Sequence, residues 1–277
     1  MKKLLISLLM IFTLVPMGAQ NDSLTFVGAD WHWQRLKKGA EAGYTQIPIF
    51  GGIQSISVVR YPARRFHTSL LSSPCAEAAH TDSLAIRNDA LFAMNGSYFG
   101  PKLEHVTYFC IDGQVLGHTP DAETSRCDGL VALPKKGGRV VEIARYDPAV
   151  EDEYPEKYYA ALASGPLFLL DGEVCGFDPE SKFNKTRHPR SFIGINPDGD
   201  IYLVVVDGRF KGQADGASIS ELVQIARWFG LTDALNLDGG GSSTVWTSET
   251  GIINHPCDNK KFDHAGARTV PNAIIVR

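Results

Sequence analysis

The sequence is poor in cysteine, with five in 277 residues and no two of them in C-x-x-C spacing. Cys75, Cys110, Cys127, Cys175 and Cys257 therefore lack the close pairs that a structural zinc site uses. An odd count also leaves at least one thiol unpaired, whatever disulfides form. Positive charge is scarce as well: 27 Lys and Arg stand against 31 Asp and Glu, a formal net charge of −4. Loss of Lys2 and Lys3 with a cleaved leader would bring that to −6. A chain of this sign is a poor non-specific partner for nucleic acid, so any phosphate site must be local. Also missing are low-complexity tracts, long linkers and a histidine-rich metal motif. No apolar run reaches the roughly 18 residues that span a bilayer, which excludes a transmembrane anchor.

What is present begins with a leader. Lys2 and Lys3 are followed by the apolar run Leu4 to Val15, and Met17-Gly18-Ala19 ends in a small residue suited to cleavage. Residues 1–19 read as a signal peptide. No cysteine follows it to carry a lipid, so the expected location is the periplasm or the extracellular space. The remaining chain is long enough for one large domain or two small ones.

From residue 47 the pattern is mostly β. Ile53 to Val59 alternates apolar and polar, as a half-buried strand does. Asp112-Gly113, Asp171-Gly172 and Asp198-Gly199 each lie between β-prone runs and predict hairpins. The first two have similar flanks, which reads as two ordinary hairpins rather than a repeat. Helices are few. Thr81 to Ala90 predicts one. Ile219 to Phe229 predicts another, with Ile219, Leu222, Val223, Ala226 and Phe229 on one face. Ser218 and Glu221 fit a capping box, and Gly230 fits the C-terminal stop. Ile201 to Val206 is continuously apolar, as a strand buried on both faces would be. With the helix and Ala234 to Leu237 it predicts a crossover. The strand ends Asp207-Gly208-Arg209 and Asp238-Gly239-Gly240-Gly241 should then share one sheet edge, where ligands of such units bind. The expected class is α+β, a mixed and largely antiparallel sheet with a few packed helices in one catalytic domain.

The densest functional signal is Asn236-Leu237-Asp238-Gly239-Gly240-Gly241-Ser242-Ser243-Thr244. Three glycines remove every Cβ, so backbone can come close to a bound group and present N–H donors to an anion. Other polar clusters flank apolar runs: Asn95-Gly96-Ser97-Tyr98-Phe99, His188-Pro189-Arg190-Ser191, Asp207 with Arg209, Glu221, and Arg268 with Asn272. Each has a modest explanation alone. Asn95-Gly96 suits a turn, Arg190 a surface cation, Asp207 a strand end, and Glu221 a cap. Gathered at one edge they would surround a cleft with carboxylates, guanidiniums and an N–H-rich loop.

These motifs, with Ser164-Gly165-Pro166-Leu167, make the chain resemble the phosphodiester glycosidase family over residues 85–277. Its domain also occurs in N-acetylglucosamine-1-phosphodiester α-N-acetylglucosaminidase, which uncovers mannose-6-phosphate tags. Residues 20–84 carry none of its motifs and are expected to pack on the domain. The resemblance implies hydrolysis of a sugar-1-phosphodiester, giving free sugar, such as N-acetylglucosamine, and a phosphomonoester, on envelope or extracellular phosphoglycans. In that chemistry Asp207, Glu221 and Asp238 are the candidate catalytic carboxylates. Arg190 and Arg209 suit bidentate phosphate contacts. Gly239, Gly240, Gly241, Ser242 and Ser243 could cradle the same group. Asn95, Gly96, Asn236, Arg268 and Asn272 are candidates for substrate contact, and Tyr98 or Trp246 for stacking on a sugar. No cofactor is required. Asp207, Asn236 and Asp238 nevertheless offer oxygen ligands for calcium or magnesium. That leaves open a metal-dependent phosphodiesterase cutting P–O instead of C–O. A non-catalytic glycan-binding module is the third reading, although such modules lean more on aromatic residues.

Overall fold

A computed structural model describes residues 17–136 and 140–277, apart from the side chains of residues 17–20 and 125. Most of the expected leader, residues 1–16, lies outside the described residues. The expected cleavage point falls within a helix, Met17–Val27.

Three antiparallel sheets form the body. The eight-stranded sheet runs, edge to edge, His32–Arg35, Glu41–Ile49, Gly52–Pro62, Asp200–Val206, Arg190–Ile195, Asp233–Asn236, Leu167–Leu170 and Glu173–Val174. A second sheet of five strands orders Gly251–Ile252, Val245–Thr247, Phe92–Asn95, Asn272–Val276 and Thr68–Ser72. The third is built from Gln114–Gly117, Phe109–Ile111, Tyr158–Ser164, Gly129–Pro134 and Glu142–Arg145. The chain is α+β, with few helices. Every strand pair among the described residues is antiparallel. Residues 20–84 supply the edge hairpin and the strand Gly52–Pro62 of the large sheet, and also strand Thr68–Ser72 of the second.

The three Asp-Gly turns close hairpins. Asp112 and Gly113 have φ of +53° and +80°, and Asp171 and Gly172 have +52° and +81°. Paired positive φ values match the right-handed twist of the strands they join. The third turn joins Ile195 to its partner Ile201 through Gly199, at φ +79°.

The large sheet is buried on both faces, which explains the unbroken apolar run at Ile201 to Val206. One face packs Val59, Leu203, Val205 and Leu235 against Phe92, Met94 and Ile274 of the second sheet. The other packs Ile56, Val58, Val204 and Val206 under helix Ile219–Trp228, through Ile219, Leu222 and Val223. The N-terminal helix joins this layer at Phe26, whose ring meets Trp228 at 5.2 Å and Phe229 at 5.0 Å. Ser218 and Glu221 form the full capping box.

Strand Arg190–Ile195 lies between Asp200–Val206 and Asp233–Asn236 and is antiparallel to both. The two outer strands are therefore parallel, joined by the helix as a crossover that skips one strand. Their carboxyl ends reach one edge, and the start of the middle strand, His188-Pro189-Arg190, lies between them. Strand Gly52–Pro62 departs from the half-buried expectation. Its polar residues Gln54, Ser55 and Ser57 are fully buried, because that face meets other protein. Ser55 Oγ donates to Asp207 Oδ2 at 2.7 Å, and Ser57 Oγ donates to the Ile253 carbonyl at 3.2 Å. The buried cysteines are Cys110, Cys127, Cys175 and Cys257, and all five thiols are free. No helix among the described residues is long and apolar enough to cross a membrane.

Candidate active site

At the shared edge lies a cleft of about 220 Å³. Tyr98, Phe183, His188, Pro189, Arg190, Arg209, Asp238, Gly239, Gly240 and Arg268 line it. Seven of these carry sequence-level site assignments. Phe183, His188 and Pro189 do not. His188-Pro189 adjoins Arg190 in sequence, a signal that was available. Phe183 sits on a one-turn helix, Lys182–Lys185, with no local signal of function.

Arg190 is the most constrained cation of the cleft. Its side chain is nearly fully buried at 2% exposure. Nε donates to the Ala217 carbonyl at 3.1 Å, and Nη2 donates to the carbonyls of Phe183 (2.7 Å) and Thr186 (3.1 Å). Its guanidinium carbon lies 4.7 Å from the centre of the Phe183 ring. None of the ion pairs among the described residues includes it. These contacts leave the Nη1 donors uncommitted. Burial pulls its pKa down, as expected for a cation without a compensating carboxylate. Arg209 is exposed at the mouth, its Nη1 3.6 Å from Cys257 Sγ. Arg268 is held at the rim by Asp258 through bonds of 2.7 and 3.0 Å.

Asp238 is the only one of the three candidate carboxylates that lines the cleft. Its Oδ1 accepts from the Gly239 amide at 2.8 Å. Burial pushes its carboxyl up to about 6, against the opposing pull of that amide and of Arg268 and Arg126. His188 shifts the other way: burial, then the charges of Arg190 and Arg209, hold it below the usual imidazole range. Acid and base therefore share the cleft with both groups tuned toward their uncharged forms.

Asp207 is elsewhere. It is 1% exposed and accepts from Ser55 Oγ, from Asn254 Nδ2 (2.9 Å) and from the His255 amide (2.9 Å). Its second oxygen also lies 3.3 Å from His255 Nδ1. Glu221 is occupied by its capping box and by Arg187, whose Nε lies 3.0 and 3.1 Å from the two carboxylate oxygens. The strand ends do converge, but the side chains of Asp207 and Glu221 turn into protein rather than into the cleft. Asp207 and Asp238 thus do not face one space, and among the described residues no group of three or more His, Cys, Asp or Glu is arranged to hold a metal.

The glycine loop also differs from the expected amide cradle. The Gly239 amide is taken by Asp238, the Gly240 amide by the Pro189 carbonyl (2.8 Å), and the Ser242 and Ser243 amides by the carbonyls of Gly239 and Gly240. The missing Cβ atoms serve close approach within the protein. A Cβ at Gly239 would meet the Pro189 carbonyl oxygen at 2.6 Å. One at Gly240, where φ is +65°, would lie 3.0 Å from Arg209 Nη2, and one at Gly241 would collide with Asp258 Oδ1 at 1.9 Å. The glycines set the spacing of the cations around the cleft.

The buried polar residues hold this loop. Asn95 Oδ1 accepts from Ser191 Oγ (2.8 Å) and the Thr244 amide (3.1 Å), and its Nδ2 donates to the Asp238 carbonyl at 2.7 Å. Asn236 Nδ2 donates to the Gly165 carbonyl at 2.7 Å and to the Tyr98 hydroxyl at 3.0 Å. Asn272 leaves room for its carboxamide only because Gly96 has no side chain: a Cβ there would lie 2.1 Å from Asn272 Oδ1. Ser242 and Ser243 are buried. Asn95, Asn236 and Asn272 are therefore framework rather than cleft lining. Of the two aromatic candidates, Tyr98 lines the cleft, whereas Trp246 packs in the core with Leu84 and Ile275.

Three solved structures share the fold. The catalytic domain of zebrafish N-acetylglucosamine-1-phosphodiester α-N-acetylglucosaminidase, auto-inhibited by its pro-peptide, is 18% identical, with a TM-score of 0.64 over 90% of this chain and 87% of that one. A hypothetical protein from Synechocystis is 17% identical, with a TM-score of 0.59 over 89% of this chain and 63% of that one. A protein from Burkholderia pseudomallei K96243 is 16% identical, with a TM-score of 0.64 over 82% of this chain and 74% of that one. No curated protein matches the chain at the level of sequence. The family model for phosphodiester glycosidases matches residues 88–277, the span that contributes every residue of the cleft. The chain belongs to the phosphodiester glycosidase family.

Proposed function

We propose that the protein hydrolyses a sugar-1-phosphodiester at the C1–O bond, releasing free sugar and a phosphomonoester. The observation that carries this reading is Arg190, a buried guanidinium in a cleft that gives it no carboxylate partner. A desolvated cation of this kind is stabilised when an anion arrives. A phosphodiester bears one negative charge, and Arg209 at the mouth can take its second oxygen. Tyr98 and Phe183, with ring centres 6.4 Å apart and nearly perpendicular, supply the apolar faces a pyranose needs.

The chemistry asks little of a general acid, because the departing phosphate is weakly basic. Asp238, with its raised pKa, is a stronger base than an ordinary carboxylate and is ionised above about pH 6. It takes a proton from water as the water oxygen bonds to C1. The C1–O bond breaks with its electron pair passing to the phosphate oxygen, where Arg190 and Arg209 offset the charge. His188, neutral at pH 7, donates a hydrogen bond without adding a third cation. N-acetylglucosamine is the sugar we assign, on a phosphoglycan met after export through the leader at residues 1–19. Incubation with the methyl ester of N-acetylglucosamine-1-phosphate tests this. Free sugar with methyl phosphate supports it, and absence of turnover on sugar phosphodiesters would favour a binding module.

A further inference from the structure

A second cavity, of about 330 Å³, lies between the edge hairpin of the large sheet and the chain that follows strand Gly251–Ile252. His32, Gln34 and Tyr44 line one side, and Thr250, His255 and His264 the other. None of them lines the cleft. The segments 207–209 and 255–258 separate the two spaces: Asp207 and His255 bond to each other on the cavity side, whereas Arg209 and Cys257 meet on the cleft side.

Two imidazoles are fixed in orientation from behind. His255 turns Nδ1 toward the buried Asp207 carboxylate. That carboxylate is itself immobilised by Ser55, Asn254 and the His255 amide. His264 Nδ1 lies 2.7 Å from the Asn254 carbonyl, which can only accept. Asn254 is pinned in turn by the Val245 amide at 2.9 Å and the Ser243 carbonyl at 3.0 Å. In its neutral form each ring therefore carries its proton on Nδ1 and presents Nε2 as an acceptor. The rings lie 4.6 Å apart, with Phe262 stacked on His255 at 3.8 Å. Tyr44 sits 5.5 Å from His255, and its phenol stays protonated because burial raises its pKa.

The chemistry of these walls selects a ligand. Adjacent Nε2 lone pairs call for hydroxyl donors and repel an anion, as does the Asp207 charge behind them. Gln34 and Thr250 offer both donors and acceptors. Ile252 and Ile253 give the remaining surface an apolar character suited to C–H faces. We propose that this cavity is a second carbohydrate-binding site that takes one neutral, hexose-sized ring of a glycan, without any phosphate. The site needs no hydrolysis and stands whether or not the cleft cuts the C1–O bond. On a polymeric substrate it would hold a neighbouring residue of the chain while the cleft holds the phosphodiester.

Titration of the full chain with N-acetylglucosamine, glucose and mannose, followed by long-range 1H–15N NMR of the histidine rings, tests the proposal. Saturable shifts of the His255 and His264 Nε2 signals are expected with at least one sugar. Binding should weaken at least tenfold in His264→Ala and in the more conservative Gln34→Ala, each checked for fold by circular dichroism. It should persist in Asp238→Asn and in saturating inorganic phosphate. Silence of both rings up to 100 mM of all three sugars would overturn the proposal. So would sugar binding that is lost in Asp238→Asn but survives both cavity variants. Zinc chloride is the control: if zinc moves both Nε2 signals and no sugar does, the cavity is a metal site and the proposal fails.

Discussion

At Asp238 burial raises the cost of ionisation, while the Gly239 amide and Arg268 lower it, and burial wins. Its folded pKa of about 6 exceeds the unfolded value of about 3.9. Folding thus favours the protonated form. The stabilisation this brings is present below the unfolded pKa and is lost as pH rises through about 6. Asp238→Asn stays neutral at every pH. It should melt higher than wild type at pH 8 and almost equally at pH 4, while kcat falls by on the order of a hundredfold. Melting curves at both pH values with steady-state rates check this, and a wild-type rate would remove Asp238 from the chemistry. The wild-type rate itself should rise with pH through about 6. Arg209 is exposed and bears no structural ion pair, so Arg209→Ala should raise KM for a phosphodiester at least tenfold with little change in Tm. An unchanged KM would show that it does not hold the phosphate. Sequence could place Asp207 at the same edge as Asp238, but not the direction of its side chain. That direction is set by Ser55 on a neighbouring strand and by His255, 48 positions on, and neither contact leaves a local pattern.

The elements with local signatures were the legible ones. Asp-Gly pairs impose positive φ and hence hairpins, and Ser218 with Glu221 fixes the start of the crossover helix. The capping signature also carried the ambiguity at Glu221, because a capping carboxylate and a catalytic one look alike in sequence. Its contacts decide the matter of stability: Glu221→Ala strips the cap and strands Arg187. A loss of about 1–2 kcal/mol is expected from the cap alone, with activity retained. Chemical denaturation alongside an activity assay measures both, and loss of activity at unchanged stability would return Glu221 to the site. The glycine loop was recognisable as a place of close approach. What approaches it was not, since Pro189 and Asp258 are distant in sequence. Gly239→Ala sets a Cβ against the Pro189 carbonyl at 2.6 Å, and backbone cannot yield as a side chain can. The loop must shift, so both kcat and Tm should fall. A variant with wild-type kcat would show that the loop's spacing does not matter to the cleft.

On the scale of the whole molecule, an acidic chain of net charge −4 gathers three guanidiniums, those of Arg190, Arg209 and Arg268, at one edge. That edge exists because the crossover skips a strand and places the start of Arg190–Ile195 between two parallel strand ends. The class and the crossover were readable from period and capping. The strand order was not, because it depends on pairings such as Val58 with Val204, far apart in sequence and alike in composition. The central claim is that this edge cuts a carbon–oxygen bond. Hydrolysis of the methyl ester of N-acetylglucosamine-1-phosphate in oxygen-18 water measures it directly, with mass spectrometry of both products. The account expects the label in the free sugar and none in the methyl phosphate. Label in the phosphate would mean P–O cleavage and would contradict it.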